Sequence, residues 1–157
     1  MNKNTKMSIL NNNSDIEQIS SFMVDTLQQN KSGFNRLHLK NWDITQIGKY
    51  SFEIYDFTHD VNFHFHFELF KDSINIINDK RYSRNQKKGN GTQSLQEVIK
   101  IFKQVGGKMD KKKINLIFEI QGYENTNPDS VRRLLTRLQF QQTQDTSPEK
   151  WIKIIEL

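Results

Sequence analysis

The stretch Arg84–Thr92, RNQKKGNGT, holds the residues best suited to bind an anion. Two glycines stand one residue apart behind two lysines. The spacing predicts a strand before them, over Ile74–Arg81, and a helix after them, beginning near Thr92. A helix start exposes unpaired backbone N–H groups and a partial positive charge, which phosphate favours. Glycine lets the backbone approach such a group without a Cβ in the way. A P-loop would need Lys-Ser/Thr after the last glycine, and Gly91 is followed by Thr92 and Gln93. A dinucleotide fingerprint would need a third glycine where Ser94 stands, and glycines directly at a strand end. A third pattern, Q/R-x-x-G-x-G/A, is met at every specified position by Gln86-Lys87-Lys88-Gly89-Asn90-Gly91.

A second polar group lies in NFHFHFELF, Asn62–Phe70. Alternation there puts Phe63, Phe65, Phe67 and Leu69 on one strand face and His64, His66 and Glu68 on the other. Two histidines at i and i+2 with a carboxylate can share a metal. No further ligand is legible, so a polar sheet face, or histidines packed under a helix, is the better account, no metal is expected, and a general-base role for His64, His66 or Glu68 is favoured over a metal. Arg132, Arg133 and Arg137 fall on a late helix, with Lys108 and Lys111 to Lys113 elsewhere. Solvated basic faces explain these better than nucleic-acid binding, which needs convergent charge and stacking aromatics. No nucleophile elbow or Ser-His-Asp spacing is legible.

The elements that must position these residues read as one α/β domain over 1–157. Lys6–Leu10 reads as a short strand. Ser14-Asp15-Ile16-Glu17 has the form of a capping box, with Ile16, Ile19, Phe22, Met23 and Leu27 at helical spacing behind it, to near Asn30. Leu37–Trp42 is extended. Tyr50–Phe57, Asn62–Phe70 and Ile74–Arg81 form an antiparallel meander, the last two joined by a turn at Lys71-Asp72-Ser73. Leu95, Val98, Ile99, Phe102 and Val105 mark the buried stripe of the next helix, which Gly106-Gly107 should stop. The strand Ile114–Ile120 then follows by a right-handed parallel crossover. Asn127-Pro128-Asp129 caps a last helix with Val131, Leu134, Leu135 and Leu138 inward. Phe140–Thr143 and Trp151–Leu157 close the sheet. The fold class is α/β, a mixed and mostly antiparallel central sheet with helices on both faces.

The QKKGNG hexapeptide in this order of elements resembles the GNAT superfamily of coenzyme A-dependent N-acetyltransferases over nearly the whole chain. Asn127–Phe140 (NPDSVRRLLTRLQF) is similar to that family's last-helix motif. The resemblance implies acetyl-coenzyme A as co-substrate and an amine on a small molecule, peptide or protein as acceptor. It implies that the amides of Lys87, Lys88, Gly89, Asn90, Gly91 and Thr92 hold a pyrophosphate, with Arg84 and Gln86 near the outer phosphates. The pantetheine arm would run along the strand ending at Arg81 and Tyr82, where it splays from the strand at Ile114. Asp79 and Glu119 flank that splay and are candidate bases. The family's usual acid, a Tyr in the last helix, is replaced by Leu135, so Tyr123 or a water becomes the candidate. Gln139 stands where the family usually has Gly. An interaction module on the same fold, without catalysis, is the alternative, and a basic nucleic-acid-binding protein stands behind it.

Composition sets outer bounds. With 157 residues, 34% hydrophobic and eleven of them Phe, the chain suits a single aromatic core. It has no cysteine, no apolar run of membrane-spanning length and no signal-like start, which leads us to expect a cytoplasmic protein. The net charge of +5 suits a phosphorylated ligand. Neither the acceptor nor the oligomeric state, a homodimer included, is legible.

Overall fold

The computed structural model describes residues 13–29, 34–41, 49–56, 59, 61–83, 90–120, 128–145 and 148–157. Its elements, in chain order, are helix α1 (Asn13–Gln29), strands β1 (Phe34–Asn41), β2 (Lys49–Asp56), β3 (Val61–Leu69) and β4 (Ser73–Ser83), helix α2 (Asn90–Lys108), β5 (Lys113–Ile120), α3 (Pro128–Arg137), β6 (Gln141–Gln144) and β7 (Glu149–Glu156). The seven strands form one sheet in the order β1-β2-β3-β4-β5-β7-β6. Every neighbouring pair is antiparallel except β4 and β5. The mixed, mostly antiparallel α/β sheet is thus as the alternation and the helical stripe predicted. The expected strand Lys6–Leu10 lies outside the described residues.

The placement of the helices departs from expectation. Among the described residues all three pack on one face of the sheet, not on both. Ile19 and Met23 of α1 and Phe102 and Val105 of α2 enclose a small apolar cavity with Phe67, Ile74, Ile76 and Ile114. The Phe65 ring meets Phe102 edge-on at 5.1 Å and Phe118 at 6.2 Å. Phe118 in turn meets Phe140, just beyond α3, at 5.4 Å. Lys153 Nζ donates to the Leu138 carbonyl at 2.9 Å, and Lys153 pairs with Leu116 on this same face. The reason is topological. The crossovers β4–α2–β5 and β5–α3–β6 join parallel strands and step the same way across the sheet, so one handedness puts both helices on one side.

Period-two alternation drives the core. Phe63, Phe65, Phe67 and Leu69 are at most 1% exposed. Leu95, Val98, Ile101, Phe102 and Val105 of α2 cover them at 3.6-residue spacing, with Ile101 central and Ile99 only partly buried. Burying one such Phe contributes ~2–3 kcal/mol by apolar area alone.

Two helix ends differ from expectation. Helix α1 opens at Asn13, so Ser14 lies inside the first turn rather than capping it. Helix α2 runs through Gly106-Gly107 to Lys108, and the stop is Asp110, whose φ of 55° is left-handed. Gly106 serves packing instead. A Cβ there would lie 2.7 Å from Leu157 Cδ1 and 2.9 Å from Ile114 Cδ1. Helix α3 starts at Pro128 with Asp129 in its first turn, as the sequence implies, while the expected cap Asn127 is outside the described residues. Its end is a Schellman motif. Gln139 has φ 65°, its N–H donates to Thr136 O at 3.1 Å, and Phe140 N–H reaches Leu135 O at 2.9 Å.

Candidate functional site

The strands β4 and β5 part within the sheet. Their parallel pairing runs from Ser73↔Lys113 to Asn78↔Phe118 and stops there. Both strands continue, β4 to Ser83 and β5 to Ile120. Among the described residues, the β5-facing side of β4 beyond Asn78 therefore has no strand partner over five residues, roughly 16 Å at strand rise. The break coincides with a bulge. Phe65 pairs with Asn78 and His64 with Lys80, so Asp79 is the extra residue. Asn78 is 2% exposed, and its Nδ2 donates to the His64 carbonyl at 3.0 Å, bracing the bulge.

The two candidate bases predicted from sequence stand at this divergence in the chain. Asp79 and Glu119 are the residues immediately after the last paired rung. Glu119 is half-buried and in register with Lys150 of β7. Arg81 and Tyr82 continue β4 in register with Phe63 and Asn62. Tyr123, and Arg84 to Gly89 of the glycine loop, lie outside the described residues.

The loop leads into α2, which opens at Asn90, two residues ahead of expectation. Asn90, Gly91 and Thr92 thus form the first turn, whose N–H groups have no intrahelical acceptor. No acid stands in that turn, so its partial positive charge is not offset by the helix itself. Gly91 is buried. The start of α2 and the free side of β4 lie at the same end of the sheet, joined by the glycine-bearing connection.

A constellation that sequence reading missed stands at this end. Asp56, the last residue of β2, is fully buried. Its Oδ2 lies 2.6 Å from His59 Nδ1, and its Oδ1 accepts the His59 backbone N–H at 3.2 Å. His59 Nε2 lies 3.0 Å from Oε1 of Gln93, in the first turns of α2. The only local signal was Asp-x-x-His in a turn between strands, a spacing that lets the carboxylate bond the ring and the backbone together.

Other sequence candidates fall elsewhere. His64, His66 and Glu68 share the sheet face opposite the helices, with His66 only 6% exposed. Among the described residues no three His, Cys, Asp or Glu groups converge as metal ligands. Leu135 is 0% exposed in the core. It is the α3 residue whose carbonyl closes the Schellman turn. Arg132 is tied down. Its Nε and Nη2 donate to Glu149 at 3.0 to 3.2 Å and its Nη1 to Asp129 at 2.7 Å. Trp151 Nε1 donates to the same Glu149 at 2.6 Å. The Arg132 hydrogen bonds hold the Glu149 carboxyl below its usual range, against burial, which pushes it up. Among the described residues no helix is long and apolar enough to cross a membrane.

The chain matches no protein-family model and no curated protein. Among solved structures it is similar to a GNAT-family acetyltransferase from Streptococcus pneumoniae. The two are 11% identical, the match covers 96% of this chain and 100% of that one, and the TM-score is 0.42.

Proposed function

We propose that residues 1–157 form one GNAT-like acyltransferase domain that moves an acetyl group from acetyl-coenzyme A to an amine. One observation carries the reading. The parallel strands β4 and β5 separate after Asn78↔Phe118, and the chain runs on from β4 to a helix start that takes in Asn90 and Gly91, the last two residues of QKKGNG. An extended pantetheine arm bears amides that suit such a strand edge. The first-turn amides Asn90 to Thr92, with the backbone of Lys87 to Gly89, suit its pyrophosphate. Gln86 and the two lysines supply polar reach and charge, and Arg81 and Tyr82 flank the arm.

In this reading the acceptor nitrogen attacks the thioester carbonyl carbon beside the splay. Glu119 or Asp79, directly or through water, takes the amine proton. The C–S bond breaks, and the thiolate receives a proton from Tyr123 or from water. The products are the amide and free coenzyme A. Leu135 can supply no proton, and its burial keeps it out of the site. That burial favours a second reading, an interaction module that retains the fold without turnover.

Isothermal titration with acetyl-coenzyme A tests the first reading. Binding at micromolar to sub-millimolar ligand is expected, and Gly89→Glu should abolish it by placing a carboxylate against the pyrophosphate. No heat at millimolar ligand rejects the reading. Thioester consumption on adding an amine rejects the second. The surroundings belong to the same proposal: a cytoplasmic protein, with a small molecule, peptide or protein as acceptor and no metal needed for the chemistry.

A further inference from the structure

We infer that Asp56, His59 and Gln93 form a strut that sets the affinity of the α2 start for a phosphate-bearing ligand. The inference rests on the acyltransferase reading and adds positioning residues that the glycine loop does not contain. The connection spans 34 positions in sequence, from the turn after β2 to the first turns of α2. Each link has a physical role. Asp56 is fully buried and holds the ring through both carboxylate oxygens, one on Nδ1 and one on the backbone N–H. The ring therefore cannot rotate without breaking a 2.6 Å contact to a buried acceptor. His59 is itself only 20% exposed, and its Nε2 edge meets the Gln93 amide.

The strut holds in either ring state. With Nδ1–H donating to Asp56, a neutral ring offers Nε2 as an acceptor to the Gln93 NH2. A cationic ring donates to Gln93 Oε1. A half-turn of the Gln93 amide interconverts the two. What the strut fixes is the distance between the β2–β3 turn and the α2 start. On the other side of β3, Val61 pairs with Ser83, the last residue of β4. The strut and the β3–β4 ladder therefore brace the entrance and exit of the glycine-bearing connection from two directions. A cradle built from backbone amides binds only if those amides are already arranged, so the bracing enters the affinity directly.

The test is a double-mutant cycle on coenzyme A binding by titration calorimetry. It uses the full chain with Gln93→Ala, His59→Ala and the pair together, and thermal unfolding of each without ligand. Gln93 is exposed, so Gln93→Ala should unfold within about a degree of wild type. Each single change should raise Kd roughly tenfold, as loss of one ordering hydrogen bond does. The double change should raise it no further than the singles, because both cut the same strut. Unchanged Kd in Gln93→Ala, or single effects that multiply in the double variant, would overturn the inference while leaving the acyltransferase reading intact. Absence of coenzyme A binding by wild type is seen before any variant and removes both.

Discussion

Replacing Glu149 by Gln probes how α3 is fastened to the sheet. The carboxylate is 11% exposed and receives three Arg132 contacts at 3.0 to 3.2 Å plus the Trp151 indole at 2.6 Å. Gln has the same shape but offers one acceptor, and its NH2 would face a guanidinium donor. Losing charge-assisted bonds from a nearly buried group costs ~1.5–3 kcal/mol. The Arg132 side is 42% exposed and keeps Asp129, so screening places the expectation near the lower half, about 2 kcal/mol. For a chain of this size that is a fall in Tm of roughly 4–8 °C at pH 7. The pH dependence has a definite sign. Arg132 lowers the folded carboxyl below its unfolded value, so the stabilisation is complete above the unfolded value. It is lost as pH falls through the folded one, which lies lower still. Wild type should lose this increment on acidification, and Glu149→Gln has none to lose, so the two Tm values should converge. Circular dichroism melts from pH 7 down to about pH 3 measure this. A gap under one degree at pH 7, or one that persists undiminished at pH 3, would refute the charge argument.

Other expectations follow from backbone and packing. Gln139 occupies a left-handed C′ position, so Gln139→Gly should raise stability by about 0.5–1 kcal/mol in a denaturant melt. Gly107 has open space around its absent Cβ while Gly106 does not. Gly107→Ala should therefore stabilise by ~0.5–1 kcal/mol through helix propensity, and Gly106→Ala should fall short of that gain, both read from Tm. Leu135→Tyr should not create a catalytic acid. It should overpack a fully buried site and cost about 1–3 kcal/mol, seen as a lower denaturant midpoint with no gain in any thioester turnover.

Much was legible in the chain itself because local physics fixes periodicity. Alternation in NFHFHFELF determined which face of β3 is buried, and the stripe from Leu95 to Val105 determined the buried side of α2. The strand–glycine loop–helix order was readable for the same reason. What only the tertiary structure decided depends on long-range pairing. The parting of β4 from β5 after Asn78, with Asp79 in a bulge, follows from registers on two neighbouring strands. Placement of α2 and α3 on one face follows from the direction of two crossovers, which no local pattern encodes, and α1 joins them there by packing against α2. The role of Gly106 depends on how closely Leu157 and Ile114 approach it. The Asp56–His59–Gln93 strut joins two segments 34 positions apart, and each of the three looks like an ordinary polar residue until folding brings them within hydrogen-bond distance.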